Sequence, residues 1–391
     1  MTKKFNRQVL LGAAFLMATS AIGPGFLTQT TVFTSQLLAS CGAVILLSVL
    51  LDVFAQLNIW RIITISGKRA PELANALLPG AGHLLTVLIV LGGLAFNIGN
   101  ISGAGLGLNV LFGITVQQGA AVSAFIAIIV FVLKEAGTVM DWFVKILGIL
   151  MIGLTLYIAI ITEPPLKEVI LQTVAPSRFS FTAVITLVGG TVGGYITFAG
   201  AHRLLDAGVQ GEAALKLVSK SAVNAIVLAS LMRILLFLAA LGVVIKGYPL
   251  NNENPAASVY EIAAGKIGYK IFGIVMWAAS ITSVVGSAYT SISFFKTLHP
   301  SFERKSNWHI ILFILLSTII FVRWGKPIVI LLWAGTINGF ILPVSLGLML
   351  WALKRKQLFG HYQHPRWLTV AGWLVVALMF FISIRTAYEI I

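Results

Sequence analysis

The chain has 391 residues, enough for two or three soluble domains, but 58% hydrophobic and 10% charged residues cannot cover a water-facing surface. Its 27 Lys and Arg against 12 Asp and Glu give a net charge of +15, and these basic residues fall mainly in short gaps between apolar runs, so they set membrane orientation rather than mark a nucleic-acid partner. The lone Cys41 excludes a disulfide framework and a thiolate metal cluster.

A membrane crossing needs roughly 20 mostly apolar residues. On that basis the predicted spans are 8–38, 41–63, 83–111, 117–134, 139–161, 179–206, 216–246, 258–297, 308–323, 327–353 and 367–388. The expected fold class is an all-α polytopic membrane protein of about eleven helices, with 1–391 forming a single transmembrane domain. Lys3, Lys4 and Arg7 precede the first span, and the polar and Gly/Pro residues after it do not read as a cleavage site. With the N-terminus cytoplasmic, about 17 Lys and Arg fall in inner segments and about 8 in outer ones, which places the C-terminus outside. The expected location is the plasma membrane.

Two spans are interrupted. In the first, Gly23-Pro24-Gly25 lies inside the apolar stretch, where Pro24 removes a backbone donor and clashes one turn back. In the sixth, Gly189, Gly190, Gly193, Gly194 and Gly200 surround Tyr195 and Thr197. These spans hold matching positions in two successive five-span units, 8–161 and 179–353, with 367–388 additional. An odd number of spans per unit inverts the second unit relative to the first. Broken helices at matching positions of inverted repeats point to a secondary transporter with its site near the bilayer midplane.

The segment from Phe15 to Gly25 resembles the first span of the NRAMP family of proton-coupled divalent-metal transporters, in which the break reads Asp-Pro-Gly-Asn; here it reads Gly23-Pro24-Gly25-Phe26. Asn97-Ile98-Gly99-Asn100 and Leu108-Asn109-Val110-Leu111 resemble the family's Asp-Met-Gln-Glu and Ile-Asn-Leu-Leu, and Gly194-Tyr195-Ile196-Thr197 stands where the family has Met-Pro-His-Asn. The resemblance implies a LeuT-type fold of five plus five inverted helices, with an eleventh appended. It also implies metal ligands at positions that here hold Gly23, Phe26 and Gly194, and proton-handling acids at positions that here hold Asn97 and Asn100. A divalent cation needs carboxylate, carbonyl, imidazole or thioether donors, and at the first break only backbone carbonyls remain.

Free N–H groups at a half-helix N-terminus favour an anionic group. The expected substrate is therefore a small organic anion or amino-acid-like solute, with a 5-oxoproline-like acid as one example. Its binding residues are expected to be Gly23, Pro24, Gly25, Phe26, Thr28, Thr31, Gly193, Gly194, Tyr195 and Thr197, with Phe26 and Tyr195 as walls and the threonines as donors. No metal site and no cofactor are expected. Ala279, Thr282 and Ser283 have a spacing that resembles the sodium site of sodium-coupled LeuT-type transporters, and would meet carbonyls near Thr19 and Ile22; packing or back-bonding is the competing reading.

Asp52 and Arg233 lie deep in the second and seventh spans, either as a structural pair or with Arg233 facing the permeation path and attracting an anion. The histidines, His202 among them, read as single interfacial side chains; Trp60, Trp142, Trp324 and Trp367 read as interfacial belts. Gly99, Gly103 and Gly107 read as a close-packing stripe. Divalent-metal transport (manganese, iron or magnesium) is the alternative function. A membrane enzyme is disfavoured because no nucleophile lies beside a base and no phosphate loop is present.

Overall fold

A computed structural model describes residues 21–295 and 304–390, and for 134–145 the helical path alone. Thr19, the start of the first expected span and the connection containing Lys296 and His299 lie outside the described residues. The regular elements of the described residues are helices: α1 (Pro24–Leu37), α2 (Cys41–Ser66), the short α3 (Ala70–Leu77), α4 (Ala81–Phe112), α5 (Val116–Val132), α6 (Lys134–Ile161), α7 (Leu166–Val174), α8 (Phe181–Gly189), α9 (Tyr195–Asp206), α10 (Leu215–Ile245), α11 (Pro255–Phe295), α12 (Ser306–Trp324), α13 (Pro327–Ala352), α14 (Lys356–Phe359) and α15 (Arg366–Ile390).

The helix ends follow local chemistry. Gly67, at φ +62, stops α2 with its N–H on the Ile63 carbonyl. Thr115 caps α5 by accepting from the Gln118 N–H. Gly265, at φ +62, kinks α11, so that a short helix precedes the long crossing. Among the described residues seven helical segments are long and apolar enough to cross a membrane, or eight when α6 and α7, bent by 105°, count as one span. α1 and α2 follow one another in the apolar stretch Pro24–Ser66, α5 is shorter than these crossings, and α8 and α9 are separated by the second break.

The interior is mostly apolar but holds a set of buried polar side chains, and the periphery is apolar as well, unlike that of a soluble protein. Thr28, Gln29, Asp52, Asn97, Thr197, Arg233 and Asn338 are buried, while Phe125, Ile149, Trp308, Trp324 and Trp367 are more than half exposed. α4 runs through the middle against α11, α13 and α5. Its glycine stripe allows this approach: a Cβ on Gly103 would stand 2.1 Å from Pro24, and one on Gly107 would stand 2.8 Å from Trp277.

Two interfacial assignments are corrected. Trp60 is fully buried and its indole N–H donates to the Thr197 carbonyl at 2.8 Å, because α9 packs against α2 and brings that carbonyl to the indole. His202 is buried between the Phe198 and Phe294 rings. Trp324 and Trp367 are exposed as a belt requires.

Candidate functional site

At the first break the chain turns at Ile22 and Gly23. Gly23 is extended (φ −101, ψ −174) and α1 begins at Pro24, whose missing N–H is no loss at a first helical position. Phe26, Thr28, Gln29 and Thr31 are buried in the first turns of α1. Thr31 donates its hydroxyl to the Leu27 carbonyl at 2.9 Å, whereas the Thr28 hydroxyl has no partner. Gln29 donates from Nε2 to the Leu331 carbonyl of α13 at 2.8 Å, leaving Oε1 unpaired.

At the second break α8 ends at Gly189 and the chain passes through turns to Gly194, at φ +51 and ψ −123. Only glycine adopts that conformation without strain. A Cβ on Gly194 would also fall 1.5 Å from Asn338 Oδ1, and a Cβ on Gly190 would fall 2.4 Å from Gln29 Oε1. The space opened by the second break is thus taken by two amides, Gln29 from α1 and Asn338 from α13. Asn338 is held by donation to the Gly92 and Ala334 carbonyls at 2.9 and 2.8 Å, with Oδ1 unpaired. Gln29 was visible only as one polar residue among several; Asn338, the single amide in the span 327–353, carried a signal that sequence reasoning passed over.

The break also frees backbone carbonyls. In a continuous helix the Leu187 carbonyl would receive the Thr191 N–H, which here bonds Val188 instead. Leu187 oxygen accepts from Thr191 Oγ1 at 2.8 Å and from Arg233 Nη1 at 3.4 Å. The Arg233 guanidinium lies over the Phe26 ring, 4.3 Å from its centroid. Arg233 therefore touches both breaks. Its Nε and Nη2 have no partner, and neither does either carboxylate oxygen of Asp52 on α2. The two are close enough to interact electrostatically, but no N···O distance between them is as short as 4.0 Å. The pair expected from sequence is a pair of neighbours without a hydrogen bond.

Phe26 and Tyr195, expected as walls, pack in different apolar clusters. Phe26 belongs to an apolar cluster with Leu106, Tyr260 and Leu331. Tyr195 packs edge-on against Phe96, at 5.4 Å between centroids, in another cluster. Its hydroxyl lies beside Asn100 and Ser287. There Asn97 donates to Ser317 and accepts from Ser287, both at 3.0 Å, so α4, α11 and α12 are joined by neutral groups. Of the residues expected to hold sodium, Thr282 turns its hydroxyl onto the Ala279 carbonyl at 3.0 Å and the Ala278 carbonyl at 3.3 Å. Among the described residues no cluster of three His, Cys, Asp or Glu could hold a metal ion.

Two interrupted helices meeting around buried polar side chains, inside a bundle that is apolar outside, define a membrane transporter of the LeuT fold class. The chain belongs to the Nramp family: the model for natural resistance-associated macrophage protein-like proteins matches residues 14–389. This is a family of membrane transporters and not of enzymes. The uncharacterized membrane protein YcsG of Bacillus subtilis is 58% identical over 378 residues, covering 97% of this chain and 94% of that one. An uncharacterized membrane protein of Haemophilus influenzae is 57% identical over 381 residues, covering 97% and 96%. Among solved structures, a mutant of the Eremococcus coleocola manganese transporter superposes with a TM-score of 0.73 at 16% identity, covering 99% of this chain and 88% of that one. MhsT in complex with L-phenylalanine gives 0.66 at 15% identity, covering 97% and 99%.

Proposed function

We propose that the chain is a secondary transporter that moves a small organic anion or amino-acid-like solute across the plasma membrane by alternating access, with its N-terminus cytoplasmic and its C-terminus outside. The observation that carries this reading is the chemistry of the three positions where the resemblance puts metal ligands. Gly23 offers no side chain, Phe26 lies under a guanidinium, and Gly194 is pressed against Asn338. A cation at these breaks would face Arg233 with no carboxylate at any of the three ligand positions, an arrangement that electrostatics disfavours. An anionic group would meet free N–H groups and a buried cation.

The proposed substrate contacts are Gly23, Pro24, Gly25, Phe26, Thr28, Gly193, Gly194 and Thr197, with Gln29 and Asn338 added by their positions in the second break. Thr31 and Tyr195 support them from behind. Sodium is the proposed coupling ion, near Ile22, Ala279 and Ser283; the replacement of acids by Asn97 and Asn100 favours it over protons. MhsT, which has this fold, is described as holding L-phenylalanine, so the fold accommodates an organic solute. Divalent-metal transport is the second reading, favoured by the family and by the manganese transporter among the structural neighbours.

Uptake into proteoliposomes separates the two readings. Labelled small organic acids and amino acids, 5-oxoproline among them, are expected to accumulate saturably and faster with an inward sodium gradient, and manganese is not. Saturable manganese uptake with no uptake of any organic acid or amino acid would overturn the proposal. Gly23→Asp, which restores a carboxylate at the first break, is expected to lower organic uptake at least tenfold.

A further inference from the structure

Among the described residues Asp52 and Arg233 are the acidic and the basic side chain buried to 1% exposure. Burying a charge costs several kcal/mol unless it is paired and hydrogen-bonded, and in a membrane core such groups mark function. Here each keeps its main hydrogen-bonding edge open. On Arg233, Nη1 is used on Leu187 and one face is covered by Phe26. What remains is the edge formed by Nε and Nη2, both unpartnered. That edge presents two parallel N–H groups with the spacing of a carboxylate's two oxygens. Asp52 has both oxygens unpartnered, and Thr191 beside it spends its hydroxyl on Leu187. If the two served only each other, their hydrogen bonds would close; instead no N···O contact between them is within 4.0 Å.

We infer that Arg233 and Asp52 are the two poles of one receptor between the two breaks: the Nε/Nη2 edge takes the carboxylate of the solute, and Asp52 accepts from an N–H or ammonium group of the same molecule. The substrate class narrows accordingly from organic anions in general to small molecules carrying both groups, the α-amino acids and their N–H-bearing relatives. A solute with both poles neutralises both buried charges at once, whereas a simple carboxylate leaves Asp52 uncompensated. The Phe26 ring holds the guanidinium plane, so the receptor is oriented before the solute arrives. This inference rests on the organic-solute reading above.

The test uses the purified full-length protein and matched probes: proline, leucine and phenylalanine; the same molecules without the amino group (cyclopentanecarboxylate, 4-methylpentanoate, 3-phenylpropanoate); and the same amino acids as amides. Ligand-induced thermal stabilisation gives apparent affinities. In the wild type at least one amino acid is expected to bind tenfold or more tightly than both of its truncated partners. Arg233→Gln is expected to abolish the preference for acid over amide, and Asp52→Asn the preference for the amino over the deaminated compound. Arg233→Lys, which keeps the charge without the edge, is expected to weaken acid binding by a smaller factor and decides the matter should Arg233→Gln not fold. Amino acids that bind with both preferences intact in the variants would overturn the receptor while leaving the organic-solute reading in place. Deaminated acids that bind the wild type as tightly as amino acids would remove Asp52 from it. Manganese binding with no binding of any probe would remove both readings.

Discussion

At the first break the chain requires little beyond its own residues: Gly23 is extended, Pro24 opens α1, and no positive φ is needed. The second break depends on other helices. Gly194 sits at φ +51 against Asn338 of α13, Gly190 lies against Gln29 of α1, and the freed Leu187 carbonyl is capped by Arg233 of α10. One break is therefore a local property and the other a tertiary one, with Arg233 and Gln29 joining them. Substitutions at the second break should cost more than those at the first.

The residue that touches both breaks gives the largest effect. Arg233→Met is expected to cost about 3 kcal/mol or more, because Asp52 is left buried without its neighbouring cation. Arg233→Met combined with Asp52→Asn should cost less than Arg233→Met alone, and denaturation of the purified variants measures the difference. Equal losses would mean that the two charges do not communicate. Next, Gly194→Ala should cost about 2 kcal/mol or more through its positive φ and its clash with Asn338. Combined with Asn338→Ala, which by itself loses the bonds to the Gly92 and Ala334 carbonyls, it should cost about 1 kcal/mol less than the sum of the two single losses, because the clash is gone and the backbone strain stays; a strictly additive pair would mean that Asn338 does not fill the second break.

Gln29→Leu should cost about 1–2 kcal/mol, the loss of a buried hydrogen bond to the Leu331 carbonyl, with reduced solute uptake. The smallest effect falls at the first break. A Cβ on Gly25 would meet Gln29 Nε2 at 3.4 Å and Leu331 oxygen at 3.7 Å, ordinary contacts. Gly25→Ala should therefore unfold within about 1 kcal/mol of the wild type. A large loss at Gly25 together with a small one at Gly194 would reverse the comparison.

Both breaks were legible in the sequence because proline and clustered glycines interrupt a helix by covalent geometry, whatever surrounds them. The glycine stripe of α4 was legible for a similar reason: spacing by four puts small residues on one face. Trp60 and His202 were misplaced because position near a span end says nothing of the carbonyl or the aromatic rings that another helix brings to meet them. Asn338 was overlooked because its role exists only where α13 crosses the second break.

The sequence by itself determined the membrane class, the interruptions and the absence of side-chain metal ligands at Gly23, Phe26 and Gly194, since these follow from hydropathy, backbone chemistry and residue identity. Tertiary structure alone decided that Gln29 and Asn338 fill the second break, that Arg233 lies over Phe26, and that Asp52 and Arg233, one of whose expected readings was a pair, keep their hydrogen-bonding edges open. The physical reason is that a side chain's hydrogen-bond partners depend on which helices cross it and at what distance. The spacing of residues along one chain does not encode that.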